Sequence, residues 1–528
     1  MKRVVLILCL CYVFAPASAQ IDSLKKVLTT KKITTKQRVE TLKELSFQYC
    51  YVNPDSGIYF ARKILAIAAK TGDPEIKARG QSVMGTNFYI KESLDSAKFY
   101  YKEVIAYAEK VKNLKLLSSN YNNIGLIYLD VSELKTAAYY LHKGLEARIK
   151  LDDKKLICES YDNIGLVYEK AGDYTQSLKF HLKALTIAEE LKNNALMSYC
   201  YNNVAGSLAQ SKNFEKSLEY YFKSLKCIRD TNEHYEMFLT ATNIAITYSH
   251  LKASVKAWYY LKQALKHQAK LQGFTGLETS YHNMANILYQ ANDSLLHELN
   301  ITRQQALDSA EHYVRLSIKI GETGFDYRQR TSALLTLVEM LVQKNKAAEA
   351  RQHAFQALEF AQKGHARDME LKALYSVADV LKRLKQPDEA YDYLEKYIEL
   401  RGIIFTESKN NEVISREMRY EFQKKQLADS VVHAQNIAKQ KAIIKEKEFR
   451  MYLLYGGILV VLIFSFFLYN RIKVINKQKH TIQQQKILVE QKQKEVIDSI
   501  YYAKRIQQAL LPSNKYIKKV MEKLSRKE

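Results

Sequence analysis

Apolar and polar positions along this chain recur with a period of forty residues. Tyr121 to Tyr128 reads Tyr-Asn-Asn-Ile-Gly-Leu-Ile-Tyr, and Tyr161 to Tyr168 repeats it almost unchanged. Weaker copies start at Tyr201, Ala241 and Tyr281. A second register is set by small residues at Gly57, Ala97, Ala137, Ser177, Ser217, Ala257, Ala310, Ala350 and Ala390. Three residues after each stands an aromatic (Phe60, Tyr100, Tyr140, Phe180, Tyr220, Tyr260, Tyr313, Tyr393), with His353 the exception. Eight residues after each stands an aliphatic: Leu65, Ile105, Leu145, Leu185, Leu225, Leu265, Ile318, Leu358 and Ile398. Offsets of three and eight fall on one face of a helix with 3.6 residues per turn. The pattern predicts an all-α chain of about nine helical hairpins. The first helix of a hairpin offers a small residue for close approach (Gly85, Gly125, Gly165, Ala205, Ala245, Ala285, Ala378), and the second carries the small–aromatic–aliphatic stripe. A fixed period of this size marks a solenoid, in which each unit leans on its neighbours around one continuous core.

The period breaks once. Ala257 and Ala310 are fifty-three apart, which leaves a thirteen-residue insertion around Asn292 to Gln305. Insertions in solenoids map to loops on one face. This one is either a binding element or an ornament.

The punctuation disappears after residue 402. Residues 403–451 read as one long helix, rich in Lys, Glu and Gln, with sparse apolar positions such as Val413, Met418, Phe422 and Leu427. Residues 452–470 contain eighteen consecutive uncharged residues from Tyr452 to Tyr469, long enough to cross a bilayer core. Tyr at both ends suits the headgroup zones, and Arg471 and Lys473 follow at once. Residues 471–528 hold fifteen Lys/Arg against five Asp/Glu. A helical tail is expected here, with a heptad at Ile475, Ile482, Val489, Val496, Ala503 and Leu510 that suggests a homodimer seam over 471–511.

The first nineteen residues change the topology. Lys2 and Arg3, an apolar run from Val4 to Ala15 and the Ala17-Ser18-Ala19 site form a signal peptide, so residues 20–402 are expected as an exported solenoid. The chain then reads as a single-pass inner-membrane protein with periplasmic repeats and a basic cytoplasmic tail. Formal net charge is +25, but Lys and Arg are spread along the whole chain, so a solvated surface is expected and no nucleic-acid partner. Cys50, Cys158, Cys200 and Cys227 are widely spaced within apolar patterns and read as buried thiols. There is no HExxH, no Gly-rich phosphate loop and no nucleophile elbow. No enzyme activity, cofactor or metal is expected.

Residues 40–402 resemble the tetratricopeptide repeat family. Both aromatics and the apolar-Gly/Ala pair of the first helix match, as do the small residue and aromatic of the second. The usual period there is about 34 residues, so the longer unit implies longer helices and connections. The resemblance implies a concave groove lined by the first helices, and a protein or peptide ligand within it. Asn123, Asn163, Asn203, Asn243 and Asn283 form a ladder on those helices. Either they hydrogen-bond an extended peptide backbone or they satisfy helix groups within the array. Some family members clamp a carboxylate with Lys one residue earlier. Asn122, Asp162, Asn202, Thr242 and His282 stand there instead, so that clamp does not carry over.

Residues 498–513 resemble the helical lead-in to sporulation-type (SpoIIE-like) serine/threonine phosphatase domains of membrane sensors. The catalytic domain is expected next, yet fifteen residues follow Ser513 and none makes a metal site. Two functions follow: an exported scaffold that binds a protein or peptide for signalling or assembly, or the sensory half of a truncated phosphatase.

Overall fold

The computed structural model describes residues 17–29, 33–50, 53–231, 233–271, 276–321, 327–510 and 514–524. Among these there are twenty-one helices and no strand. In chain order they begin with α1 (Ala17–Thr29), α2 (Thr35–Cys50), α3 (Pro54–Thr71), α4 (Pro74–Ile90), α5 (Leu94–Lys110), α6 (Leu114–Asp130) and α7 (Leu134–Lys150). Next come α8 (Lys154–Lys170), α9 (Tyr174–Glu190), α10 (Asn194–Gln210), α11 (Phe214–Ile228), α12 (His234–His250), α13 (Ser254–Gln268) and α14 (Leu277–Tyr289). The last are α15 (Asp293–Leu299), α16 (Arg303–Gly321), α17 (Tyr327–Gln343), α18 (Ala347–Lys363), α19 (Arg367–Arg383), α20 (Pro387–Leu510) and α21 (Asn514–Leu524). Residues 1–16, most of the expected signal peptide, lie outside the described residues.

The chain divides into two units, Met1–Phe422 and Gln423–Glu528. The first is the solenoid. Its forty-residue period is two helices of 17 residues, each followed by a three-residue turn, from α4 through α10. The extra length of the unit therefore lies in the helices, and the connections are short, contrary to expectation. The middle residue of each turn is left-handed: Glu92, Lys112, Ser132, Asp152, Gly172, Lys192 and Lys212 stand twenty apart. The residue after it donates its backbone N–H to the carbonyl five positions back, as in Ser93 to Phe88 and Glu133 to Tyr128, both 2.9 Å. This closes the last turn of one helix and releases the chain for the next. Asp73, Asn113, Asp153 and Asn193, forty apart, cap the first helices by accepting backbone N–H groups of the following turn.

The stripe of the second helices is buried as expected. Ala97, Ala137, Ser177, Ser217, Ala257, Ala310 and Ala350 are fully covered. The aromatic three residues on stacks against the second aromatic of its own first helix: Phe88 on Tyr100, Tyr128 on Tyr140 and Tyr168 on Phe180, with centroids 5.4–5.6 Å apart. The small residue of the first helix makes room for the residue sixteen positions later. A Cβ on Gly85, Gly125 or Gly165 would come within 2.8 Å of Tyr101, Leu141 or His181, respectively. Ile398 departs from the pattern at 67% exposure, because α20 is the outermost helix of the stack and no further hairpin covers it. Cys50, Cys158 and Cys200 are buried free thiols, and Cys227 is half-buried.

The insertion is not a loop. It forms α15, capped by Asn292 and ended by left-handed Asn300. Leu295 is fully buried in the core shared by α12, α13 and α14. Arg303 ties the segment down by donating to the carbonyls of Ala291 (2.7 Å) and Tyr289 (2.8 Å).

The second unit holds α20 from residue 423 onward and α21. In α20 the fifteen large apolar side chains between Tyr452 and Tyr469 are 47–72% exposed.

Candidate functional site

Successive first helices (α4, α6, α8, α10, α12 and α14) approach one another, while second helices make no comparable contacts. The first helices therefore form the inner, concave side. The expected Asn ladder lies there, and its geometry has a rule. Asn163 donates its side-chain amide to Asn122 Oδ1 (2.9 Å), Asn203 to Asp162 Oδ2 (2.6 Å) and Asn243 to Asn202 Oδ1 (3.0 Å). Each rung spans forty-one residues and ties one first helix to the preceding one. Asn87 extends the ladder by donating to Ser46 Oγ (2.9 Å).

Two expected members behave differently. Asn123 donates to the Tyr101 hydroxyl of its neighbouring hairpin, 3.4 Å away. The amide nitrogen of Asn283 is buried without a hydrogen-bond partner. Thr242 stands at the position of the acceptor and donates its own hydroxyl to the Phe238 carbonyl (2.8 Å). Three of the five residues standing where a carboxylate clamp would carry Lys, Asn122, Asp162 and Asn202, are thus the acceptors of the ladder.

One rung sits in a buried charged cluster. Asp162 Oδ1 lies 2.5 Å from His181 Nδ1, and both side chains are sealed from solvent. Glu169 lies 4.0 Å from the other ring nitrogen. Burial opposes protonation of His181, but the charge and hydrogen bond of Asp162, helped by Glu169, hold the imidazole above its ordinary value. Nearby, Arg148 donates to the Leu156 carbonyl and Ser160 Oγ, both at 2.8 Å, with Glu159 4.0 Å away. Burial raises the Glu159 carboxyl, and Arg148 works against it. Further along, burial pushes His282 down to about 4 and Glu236 up to about 7, the latter with help from Glu233. Among the described residues, no group of three His, Cys, Asp or Glu side chains could hold a metal ion.

A second polar–apolar contact was not legible in the sequence. Within the solenoid unit, α20 leaves the last hairpin and its residues 401–410 are almost wholly exposed. It then returns to the stack at Ile414, Ser415, Met418, Arg419 and Phe422, one face of the helix. From Ala390 to Met418 is about 42 Å of helix at 1.5 Å per residue, enough to reach back from the ninth hairpin to α7 and α9. Phe422 stacks on His142 (4.8 Å) and meets Phe180 edge-on (5.3 Å), with the Lys183 ammonium 5.3 Å from its ring. Ser415 and Arg419 donate to Asp173 in the turn between α8 and α9, at 2.7 and 2.9 Å. Glu417 pairs with Lys135 at the start of α7. Burial, with Lys179 nearby, lowers the Lys183 ammonium.

Residues 116–190 match one tetratricopeptide repeat family model, and residues 371–402 match a second. These stretches are tetratricopeptide repeats. Helical hairpins also precede the first stretch and fill the chain between the two. No curated protein matches the chain. Similar solved structures include the apo form of the quorum sensor NprR from B. thuringiensis, 15% identical over 70% of this chain and 100% of that one, with a TM-score of 0.47. The apo form of RapI is 16% identical over 70% of this chain and 98% of its own, with a TM-score of 0.49. NprR in complex with its cognate peptide NprX is 13% identical over 70% and 100%, at 0.43. Likenesses this distant carry neither a ligand nor an activity across to the repeats of this chain.

Proposed function

We propose that the protein is a single-pass membrane scaffold whose exported repeats bind a protein or peptide, and which serves in signalling or assembly. The observation that carries the membrane half is the apolar run of α20. Fifteen large apolar side chains with no protein cover would each gain roughly 1.5–3 kcal/mol on burial, so water is the wrong solvent for them. A bilayer removes the cost. The signal-like first nineteen residues and the basic tail then orient the repeats outward and the tail inward.

The binding half rests on the concave row of first helices. In this reading Asn163, Asn203 and Asn243 hold the groove in register through their rungs, while Asn123, outside the ladder rule and half-buried, is the groove position open to a peptide backbone. The heptad over 471–511 supports a homodimer. A second reading, the sensory half of a phosphatase signalling protein, rests on residues 498–513, whose described part, through Leu510, is helical as a lead-in would be.

Topology is tested with exposed cysteines introduced one at a time in a Cys227→Ser background, in which Cys50, Cys158 and Cys200 stay buried. Lys192→Cys should react with a membrane-impermeant maleimide in cells whose outer envelope alone is opened. Lys494→Cys should react only after lysis. Labelling of both before lysis, or of neither, rules the arrangement out.

A further inference from the structure

The return of α20 to the stack is a small contact with a distinct chemistry. Its ten preceding residues are almost wholly exposed, so the helix touches the repeats in two separate places with open solvent between. The receiving surface is built entirely by repeats: an aromatic cleft between His142 and Phe180 with the Lys183 ammonium beside it, met by Phe422, and the Asp173 carboxylate and Lys135, which pair with Ser415, Arg419 and Glu417 one to two turns earlier. The donating surface is two helical turns. Ser415 and Met418 are buried to within 2% and 7% of full cover, and Arg419 and Phe422 lie on the same face. Ladders within the repeats are made by residues forty-one apart, whereas this contact joins residues 242 and 246 apart. Nothing in the stacking of hairpins requires it.

We infer that the surface formed by Lys135, His142, Asp173, Phe180 and Lys183 is a docking site for an amphipathic helix, held closed by the chain's own residues 414–422. Its outside ligand is a helix of the same chemistry: an apolar residue and an Arg in succession, an aromatic one turn later, and an acid beside them. The acid answers Lys135, the Arg answers Asp173, and the aromatic fills the His142–Phe180 cleft under Lys183. The occupant already seated there supplies the pattern, and the charge pairing fixes its direction. Because the segment belongs to the helix that runs on through the apolar stretch, displacing it changes what that helix is attached to. A ligand that prefers the open site shifts the population by its differential affinity for the two states.

The test uses the full chain in detergent and a fluorescent peptide of residues 410–426 as the probe. Three forms are compared: the parent chain, Met418→Ala/Phe422→Ala, and Arg419→Asp, which leaves the apolar side chains in place should the double variant fold poorly. Each is first checked for a parent-like helical melt. The vacated forms are expected to bind the peptide at least tenfold more tightly than the parent. Adding Asp173→Arg to either is expected to abolish that gain. Vacated chains that bind no better than the parent, or binding that survives Asp173→Arg, would overturn the inference.

Discussion

Asn203 hands its side-chain amide to Asp162 across 2.6 Å and forty-one residues of chain, while the other oxygen of the same carboxylate faces His181. One acid thus serves two helices. It joins α10 to α8 along the inner wall and α8 to α9 within a hairpin. A buried carboxylate is stable only while such donors remain.

Removing the rung should therefore be felt. Asn203→Leu withdraws a hydrogen bond to a charged group, worth about 1.5–3 kcal/mol, and the urea midpoint is expected to fall by a matching amount. Asn283→Leu is the contrast. Its amide has no partner to lose, so the midpoint should stay or rise. Equal losses in both variants would mean that the rungs are not what distinguishes them.

Space at the helix contacts gives a second pair. A Cβ on Gly165 would stand 2.7 Å from the His181 ring, which is held on both sides by carboxylates and cannot yield. Gly165→Ala should cost about 1–3 kcal/mol through overpacking. At Gly206 the nearest atom is the Tyr221 hydroxyl at 4.0 Å. Gly206→Ala should stabilise by about 0.5–1 kcal/mol through helix propensity alone. Thermal unfolding of the two variants should move in opposite directions.

Glu236 makes stability depend on pH. Burial raises its carboxyl from 4.5 to about 7, so between those values the unfolded chain has released a proton that the folded chain still holds. Stability contributed by the protonated form is then lost as pH climbs through that window. Glu236→Gln removes the proton from the balance. It should match the parent at pH 4 and exceed it at pH 8 by about 3.4 kcal/mol, taking 1.36 kcal/mol per unit. Denaturant midpoints measured at both values check it.

The apolar stretch offers a direct perturbation of the membrane reading. A Lys at the middle of a spanning helix costs about 2.5–3.5 kcal/mol on insertion scales. Val461→Lys should shift the protein from the alkali-resistant membrane pellet toward the extract, whereas Val432→Lys, outside the stretch, should leave it in the pellet.

The hairpins were legible because their signal is periodic and apolar: Ala137, Tyr140 and Leu145 repeat wherever a second helix must fit a neighbour. The turns were hidden because left-handed positions such as Glu92, Lys112 and Lys192 carry no glycine to mark them. Stack geometry outweighs the local preference of roughly 1–2 kcal/mol against that conformation. The Asn row could be read, but its partners could not. The pairing depends on an offset of forty-one, one more than the period, which appears only once adjacent helices are set side by side. The insertion was misjudged for a related reason: Leu295 and Leu299 fill a core that no window of sequence displays. The contact of Phe422 with His142 joins positions 280 apart, beyond any repeat.

That last contact bears on how many hairpins the array can hold. Cutting out residues 194–233 would set α12 directly behind the Asn193 cap and leave Asn243 facing Asp162, so the neighbours would heal as though nothing were missing. The interior is therefore indifferent to head count. α20 is not, because its chord from the ninth hairpin is cut to land on α7 and α9. Gain or loss of a single module between α9 and the ninth hairpin would swing Phe422 past its cleft, which makes the returning helix a ruler for that part of the stack.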